Sequence, residues 1–225
     1  MHTPYSQPLS QMERMLDAPL RDVLEIIQHR ILSGTSWFGV KTFKNPMDFW
    51  VYQELIFERR PDVVVEIGNH TGGSALAHLM DILGHGRVVC VDINHDRISD
   101  AARAHSRIAW IEGVALDVFG RVRDLIPQDQ RVFVIEDSSH EYENTLGVLR
   151  TYSELIHQGD YFIVEDGICH HGLSVGPCPG PFEAVHEFLR TNPDFEIDHS
   201  RESFLITWNP HGYLKRKITS DSADA

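Results

Sequence analysis

Short apolar runs alternate with segments of helical spacing over most of the chain after Pro61. Runs typical of strands lie at residues 63–65, 88–91, 108–111, 132–135 and 161–164. Between them, apolar side chains recur three and four positions apart around residues 98–102, 118–125 and 146–156, and most clearly at Leu76, Leu79, Met80 and Leu83. Strands that alternate with helices predict right-handed crossovers and a parallel sheet, so this pattern predicts one α/β domain.

The residues before this domain predict two helices with a loop between them. One helical period ends at Gly34 and is marked by Leu20, Val23, Leu24, Ile27 and Ile31. Asn45-Pro46 is typical of the capped start of a second helix. The intervening residues 36–44 are aromatic and basic, and we interpret them as a lid. Residues up to about Leu16 are polar and aperiodic, which predicts a poorly ordered arm.

The C-terminal part predicts a helix followed by a hairpin. A Gly/Pro-rich segment at 172–181 precedes a helix that carries Val185, Phe188 and Leu189. Apolar runs at 195–197 and 203–208 predict two antiparallel strands at the edge of the sheet. We therefore divide the chain into an arm, helices and lid at 1–60, a ligand-binding domain at 61–214 and a polar tail at 215–225.

Composition narrows the classes of partner. The 225 residues carry a formal net charge of −13, from 20 basic and 33 acidic side chains, which disfavours nucleic acid and anionic membranes. The three cysteines, Cys90, Cys169 and Cys178, lack the spacing of a metal site, although Cys169 could pair with Cys178. Without a signal sequence or a long apolar span, we expect a cytoplasmic protein.

A glycine-rich turn follows the first strand of the predicted sheet. Glu66, Gly68, Gly72, Gly73 and Ser74 occupy it, and Asp92 ends the next strand about 20 residues on. Such a turn lets backbone approach a ligand, and an acid at that place commonly binds ribose hydroxyls, so a nucleoside-type cofactor is indicated. A tight turn without a ligand is the other interpretation. The missing G-x-G-x-x-G motif and the anionic Glu66 disfavour a dinucleotide.

Acidic residues follow two later strands. Asp137 ends one strand, and Glu165-Asp166 ends the next, so their carboxylates would converge at one edge of a parallel sheet. Such a cluster suits Mg²⁺ or another divalent cation, although Asp137 and Asp166 could instead cap helices. His140 would lie on the first turn of the following helix, where it could accept a proton from a substrate hydroxyl. His170 and His171 are rival bases or substrate contacts.

Several motifs carry resemblances to known families. E-x-G-x-x-x-G-G-S at residues 66–74 resembles the first motif of class I S-adenosylmethionine-dependent methyltransferases. Asp137, the basic residue three positions on and the later acidic pair resemble the metal-dependent O-methyltransferases of the catechol type, which have a lysine where His140 stands. A longer resemblance, over about residues 37–208, is to the cephalosporin hydroxylase family, and it rests on Asp137-Ser-Ser-His140, Gly159-Asp160-Tyr161, Val164-Glu165-Asp166 and Pro179-Gly180-Pro181.

This resemblance implies a fold, two cofactors and a reaction. The fold would be a Rossmann-like, mostly parallel seven-stranded sheet with an antiparallel last strand. S-adenosylmethionine would be bound by Glu66, Gly68, Gly72, Gly73, Ser74, Asp92, Asp117 and Asp137. Mg²⁺ on Asp137, Glu165 and Asp166 would bind and acidify a hydroxyl of a small molecule, a sugar or a natural-product intermediate, and His140 would be the base. Trp37 and Lys41 would close over this acceptor, and we expect a homo-oligomer.

Three other interpretations remain at this stage. The chain could be a non-catalytic or hydroxylase-type partner that keeps the fold, an NAD-dependent oxidoreductase, or an iron oxygenase with His140, Asp137 and Asp166 as metal ligands. Trp37 and Phe38 could also be core contacts of the first helix and not part of a lid.

Overall fold

The computed structural model describes residues 10–81 and 86–219, except the side chains of residues 79–81. Its helices are α1 (Gln11–Arg14), α2 (Leu20–Gly34), α3 (Pro46–Arg59), α4 (Gly73–Asp81), α5 (Asp100–Arg103), α6 (Ala115–Asp124), α7 (Tyr142–Tyr152) and α8 (Pro181–Thr191). Its strands are β1 (Ser36–Trp37), β2 (Val40–Lys41), β3 (Val63–Ile67), β4 (Arg87–Asp92), β5 (Ile108–Glu112), β6 (Val132–Glu136), β7 (Tyr161–Val164), β8 (Phe195–Ile197) and β9 (Tyr213–Arg216).

Seven of these strands form one sheet in the order β5-β4-β3-β6-β7-β9-β8. Strands β3 to β7 pair in parallel, and β9 pairs antiparallel with both β7 and β8. The strand order reverses beside β3, because β4 lies on one side of it and β6 on the other. Ligands of such sheets bind beyond the carboxyl ends of the strands at this reversal. The predicted parallel sheet and its antiparallel last strand are confirmed.

Alternation along the strands divides the core into two layers. Val63, Val65 and Ile67 of β3 face a cluster that includes α6, α7 and α8, whereas Val64 faces a cluster built with α3. Glu66, one pleat beyond Val64, is fully buried, and it reaches His78 and Lys44 on the α3–α4 side. Because Glu66 points to this side of the sheet, its charge acts on Lys44.

The predicted strand at residues 203–208 is wrong. A short 3₁₀ turn covers His199–Glu202, and the last strand is β9. Trp208 packs against α2, and its backbone N–H donates to the Asp48 carboxylate at 2.9 Å. A side chain thus takes the hydrogen bond that a neighbouring strand would have accepted. Strand β9 also runs through Arg216, past residue 214 where the predicted domain ends.

The two predicted N-terminal helices are confirmed, whereas the arm predicted to be poorly ordered contains a short helix. Helix α2 ends at Gly34, and the side chain of Asn45 caps α3 by accepting from the backbone N–H of Met47 at 3.3 Å. Within the predicted arm, α1 begins after a capping box made by Ser10, and residues 1–9 lie outside the described part of the chain. The predicted lid contains the two-residue strands β1 and β2. Among the described residues, no helix is long and apolar enough to span a membrane.

Candidate active site

A cavity of about 450 Å³ opens at the carboxyl ends of the strands, beside the reversal of strand order. The residues that follow β3, β4, β5 and β6 form its floor. Helix α2, Phe43 and Trp208 form the opposite wall. The residues that line this cavity include Gly68, Asp92, Asp137, His140 and Asp166.

Gly68 begins the glycine-rich turn and requires its glycine. Its φ is +89°, and an added Cβ would lie 2.0 Å from the carbonyl oxygen of Asp137. The turn is held to β4 by Asp92, whose carboxylate accepts from the backbone N–H groups of Asn69 at 2.9 Å and His70 at 3.1 Å. Asp92 thus fixes the turn while its carboxylate also lines the cavity. Beside it, Ile93, Val114 and Ala115 provide an apolar wall.

Five predicted cofactor-binding residues do not line this cavity. Gly72 and Gly73 face away from it: a Cβ on Gly73 would lie 2.3 Å from the carbonyl oxygen of Lys41, so the turn packs against the lid. Ser74 is buried on α4, and Glu66 is buried on the α3–α4 side of the sheet. Asp117 is exposed on α6, and Val114 and Ala115 stand at the cavity where Asp117 was predicted.

Asp137, His140 and Asp166 converge on the same cavity. Each offers one ligand atom, and the three atoms lie within 4.8 Å of one another. His140 Nε2 is 3.2 Å from Asp166 Oδ2 and 4.0 Å from Asp137 Oδ1. Neither carboxylate caps a helix, because Glu141 and Gly180 hold the N-cap positions of α7 and α8. His140 precedes α7 in the left-handed region, with a φ of 59°, so its predicted place on the first helical turn is wrong.

Lys44, which the sequence analysis did not select, links this cluster to the core. Its side chain is 5% exposed, and its Nζ contacts Asp137, lies 2.6 Å from Glu165 Oε1 and lies 3.7 Å from Glu66 Oε1. Glu165 is buried beside Lys44 and, unlike its neighbour Asp166, lies outside the group of three potential ligands. The potential ligands that the structure brings together are thus two carboxylates and an imidazole, and the set of Asp137, Glu165 and Asp166 stays a prediction.

The buried charges shift one another's pKa. Burial, and next Asp137, raise the pKa of Glu165 to about 7 against the opposing effect of Lys44. Burial alone would lower the pKa of Lys44, but Asp137, Glu165 and Glu66 together raise it well above its ordinary value. Burial also opposes protonation of His140, yet Asp166 and Asp137 outweigh it and raise its pKa. The protonation state of each group in this cluster therefore depends on the charges of the other groups.

Glu136 gives a prediction of stability against pH. Burial raises the pKa of this carboxyl from its ordinary 4.5 to about 7, and its Oε2 has no hydrogen-bond partner among the described residues. Between pH 4.5 and pH 7 the Glu136 carboxyl loses its proton in the unfolded chain but keeps it in the native chain. The free energy of unfolding therefore falls as the pH rises through this range, and the whole decrease is present above pH 7. We expect Glu136→Gln to raise the free energy of unfolding at pH 8 by about 1–3 kcal/mol.

Urea denaturation at pH 5 and pH 8 measures this effect. The gain should shrink at pH 5, where the native carboxyl keeps its proton. The exposed Glu196→Gln serves as the control and should change stability by about 0.5 kcal/mol or less at both pH values. A Glu136→Gln variant that is less stable than the wild type at pH 8 would contradict the assignment.

The cluster fits a divalent cation by its chemistry. Mg²⁺, Mn²⁺ and Fe²⁺ all bind carboxylates. The imidazole shifts the preference of this set from Mg²⁺ towards the transition metals. The three atoms are close enough for a single ion to reach all of them. Asp137 and Asp166 would hold the ion whether His140 is a third ligand or acts as the base.

Trp37 and Lys41 of the predicted lid, and the predicted substrate contacts His170 and His171, lie outside the first cavity. Trp37 lines a second cavity of about 620 Å³ with Phe49 and Trp50, so it makes core contacts and borders a cleft. Lys41 contacts the glycine-rich turn through its carbonyl, which accepts from the Thr71 hydroxyl. His170 and His171 are engaged elsewhere, on the Gly176 carbonyl at 3.0 Å and on Glu183 at 2.7 Å.

Helix α2 supplies a wall that the sequence analysis missed. Gln28, Ile31 and Leu32 line the cavity, and the Gln28 side chain accepts from the indole N–H of Trp208 at 2.6 Å. The amphipathic pattern of α2 predicted that one face of the helix is buried, but it did not indicate which part of the fold covers that face. The cysteines are free, including Cys169 and Cys178.

Known proteins resemble this chain over most of its length. The family model for rhamnosyl O-methyltransferase/CmcI matches residues 29–217. A rhamnosyl O-methyltransferase of Mycobacterium leprae is 35% identical over 196 residues, which cover 83% of this chain and 85% of the relative. That of Mycobacterium bovis is 32% identical over 197 residues, covering 83% and 80%.

Solved structures share the fold. A CmcI structure described as Mg-SAM superposes with a TM-score of 0.64 at 22% identity, covering 97% of this chain and 89% of CmcI. An O-methyltransferase from Bacillus cereus in complex with SAH gives a TM-score of 0.55 at 16% identity, covering 82% and 86%. The expected class I methyltransferase fold and the resemblance to the cephalosporin hydroxylase family are both confirmed. The chain therefore belongs to the rhamnosyl O-methyltransferase/CmcI family and is an S-adenosylmethionine-dependent O-methyltransferase.

Proposed function

We propose that this enzyme methylates a hydroxyl of a rhamnosyl or related sugar acceptor and that a divalent cation assists the reaction. One observation carries the proposal: a single cavity is lined both by Asp92 and Gly68 and by the Asp137–His140–Asp166 cluster. The mycobacterial relatives named rhamnosyl O-methyltransferase support the acceptor class. The cation is supported by the cluster and by the CmcI structure described as Mg-SAM.

The cofactor end is built for a nucleoside. S-adenosylmethionine supplies, when bound, a methyl group on a sulfonium that an oxygen nucleophile can attack in line. Asp92 would accept hydrogen bonds from ribose hydroxyls, and Ile93, Val114 and Ala115 would cover the adenine. Gly68, with a φ of +89°, lets the turn bring its backbone to the wall of the cavity, where a ligand can approach it.

The acceptor end is built to hold charge and a proton. A divalent cation on Asp137 and Asp166 supplies, when bound, a positive charge that lowers the pKa of an acceptor hydroxyl. His140 would take the hydroxyl proton, and Asp166, 3.2 Å away, orients its ring and stabilises the imidazolium that results. Gln28, Leu32 and Trp208 would contact the rest of the sugar from the opposite wall. Positioning of the oxygen against the methyl group supplies much of the expected rate.

The geometry supports different roles for His140 and Glu165. His140 is partly exposed in the cavity, so its ring can meet an acceptor. Glu165 is held by Lys44 behind Asp137. We therefore assign the base to His140 and the cation to Asp137 and Asp166, and we assign Glu165 to positioning Lys44.

A methyl-transfer assay tests this assignment. The enzyme would be incubated with isotope-labelled S-adenosylmethionine and 4-nitrophenyl α-L-rhamnoside, with EDTA, Mg²⁺ or Mn²⁺, and with catechol as a phenolic acceptor. We expect a labelled methyl ether of the rhamnoside, lost with EDTA and restored by metal. His140→Gln should lower kcat about 10²-fold or more, while the matched His170→Gln variant stays near wild type.

Metal affinity separates ligands from the base in the same variants. Asp166→Asn should weaken Mn²⁺ binding about tenfold or more, whereas Glu165→Gln should change it by about threefold or less. Methylation of catechol but of no glycoside would overturn the acceptor class. Undiminished activity in EDTA would overturn the cation, and a stronger loss of Mn²⁺ with Glu165→Gln than with Asp166→Asn would return Glu165 to the ligand set.

The prediction of a homo-oligomer finds support at the N-terminus. Apolar side chains of α1, α2 and their link are exposed, among them Met12, Leu16, Leu20 and Ile26. A surface of this kind is typical of a contact with another chain. We propose that α1 and α2 contribute to such a contact between copies of this chain.

A further inference from the structure

Four histidines gather on the surface where α8 meets the segment before β9. His186 belongs to α8, His199 begins the 3₁₀ turn His199–Glu202, and His211 precedes β9. His171 joins them from the loop after β7 and stacks on Phe182, which in turn stacks on His211. This cluster does not line the active-site cavity.

The side chains face one another at the spacing of ligands to one ion. His199 Nδ1 lies 3.4 Å from Glu202 Oε1, and His186 Nε2 lies 3.0 Å from His211 Nδ1. Two nitrogen ligands of a tetrahedral zinc ion lie about 3.3 Å apart, given Zn–N bonds of about 2.0 Å. His199, Glu202 and His211 each offer a ligand atom, and these three atoms lie within 4.8 Å of one another.

We propose that His199, Glu202 and His211 form a second metal site, which takes Zn²⁺. Two imidazoles and one carboxylate are a zinc-type donor set, and they differ from the acid-rich set of the active site. The three side chains are partly or fully exposed, so an ion can enter without rearrangement of the core. His186 lies against His211 and orients its ring, as the partners of ligating histidines commonly do.

The site would connect two turns that border the active site. The ion would join the 3₁₀ turn to the turn at residues 209–212, where the backbone N–H of His211 already donates to Glu202 at 3.1 Å. Trp208, which forms the cavity wall, lies between these turns. Asn209 begins the second turn, and its side chain accepts from the backbone N–H of Asp166 at 3.3 Å. Zinc would thus stiffen the segment that supports the acceptor side of the cavity.

Calorimetric titration of the untagged full chain with Zn²⁺ tests the proposal. The background is Asp137→Asn/Asp166→Asn, which removes the active-site cluster. We expect one zinc ion per chain in this background. Adding His199→Ala/His211→Ala should weaken binding about tenfold or more, while the matched control His29→Ala/His157→Ala should leave it unchanged. Circular dichroism would verify that each variant is folded.

A measurement on the wild-type protein avoids reliance on variants. Crystals exposed to Zn²⁺ would be measured at the zinc absorption edge, and the anomalous difference map would locate the ion. A peak bounded by His199, Glu202 and His211 supports the site. Zinc only beside Asp137 and Asp166, or binding in the background variant that survives loss of both histidines, overturns it.

Discussion

Asp137→Asn should lower kcat/KM for methyl transfer by about 10³-fold or more. The change keeps the size of the side chain but removes the charge that lies against Lys44 and 4.0 Å from His140. The variant would lose a ligand of the proposed cation together with a charge that maintains the protonation balance of His140. Losses of this size follow removal of a group that stabilises charge developing in the transition state.

Steady-state kinetics on the rhamnoside, together with binding of S-adenosylhomocysteine, measures the effect. Cofactor affinity should change by about threefold or less, because Asp92 and Gly68 are untouched, so the loss falls on the chemical step. Asp129→Asn, an exposed acid in a loop, is the matched control and should retain wild-type rates. If Asp137→Asn keeps more than about a tenth of the activity, the acceptor site has been assigned to the wrong cluster.

Lys44→Met should lower the free energy of unfolding by about 3–5 kcal/mol at pH 8. The buried ammonium contacts Asp137, lies 2.6 Å from Glu165 and lies 3.7 Å from Glu66. Methionine fills a similar volume but leaves these carboxylates without their shared cation. At pH 5 the loss should be smaller, because Glu165, with a pKa of about 7, then holds a proton.

Lys41→Met provides a matched control on the same segment. Lys41 is exposed, and its substitution should change stability by about 0.5 kcal/mol or less. Adding Glu165→Gln to Lys44→Met should recover part of the loss, since one unpaired carboxylate is then removed. If Lys44→Met lowers the free energy of unfolding by less than about 1 kcal/mol, and by the same amount at both pH values, the lysine does not neutralise this cluster.

The sheet and the placing of the site at its edge could be predicted from local pattern. The apolar runs ending at Asp92 and at Asp137 are strands β4 and β6, and the strand order brings both acids to one cavity. Apolar runs of this length that alternate with helices leave few alternatives to a parallel sheet. The pairing of His140 with two carboxylates follows from the same convergence.

Other parts depend on tertiary packing that no local pattern carries. Lys44 reaches the site from the N-terminal segment, and a single lysine in a basic loop gives no sign that it will be buried. Glu165 and Asp166 are neighbours along the chain, and only tertiary packing shows that Glu165 meets Lys44 while Asp166 meets His140. The apolar run at 203–208 resembles a strand, but Asp48 accepts its backbone N–H and α2 covers Trp208.

Calorimetric titration with S-adenosylhomocysteine tests the central claim, that the cavity between Asp92 and Asp137 holds the cofactor. We expect micromolar binding to the wild type. Asp92→Asn keeps an acceptor for the N–H groups of Asn69 and His70 but loses the charge that faces the ribose, and it should weaken binding about tenfold or more. Asp117→Asn, on the exposed face of α6, should bind as the wild type does. Equal binding by Asp92→Asn, with a loss in Asp117→Asn, would contradict the account.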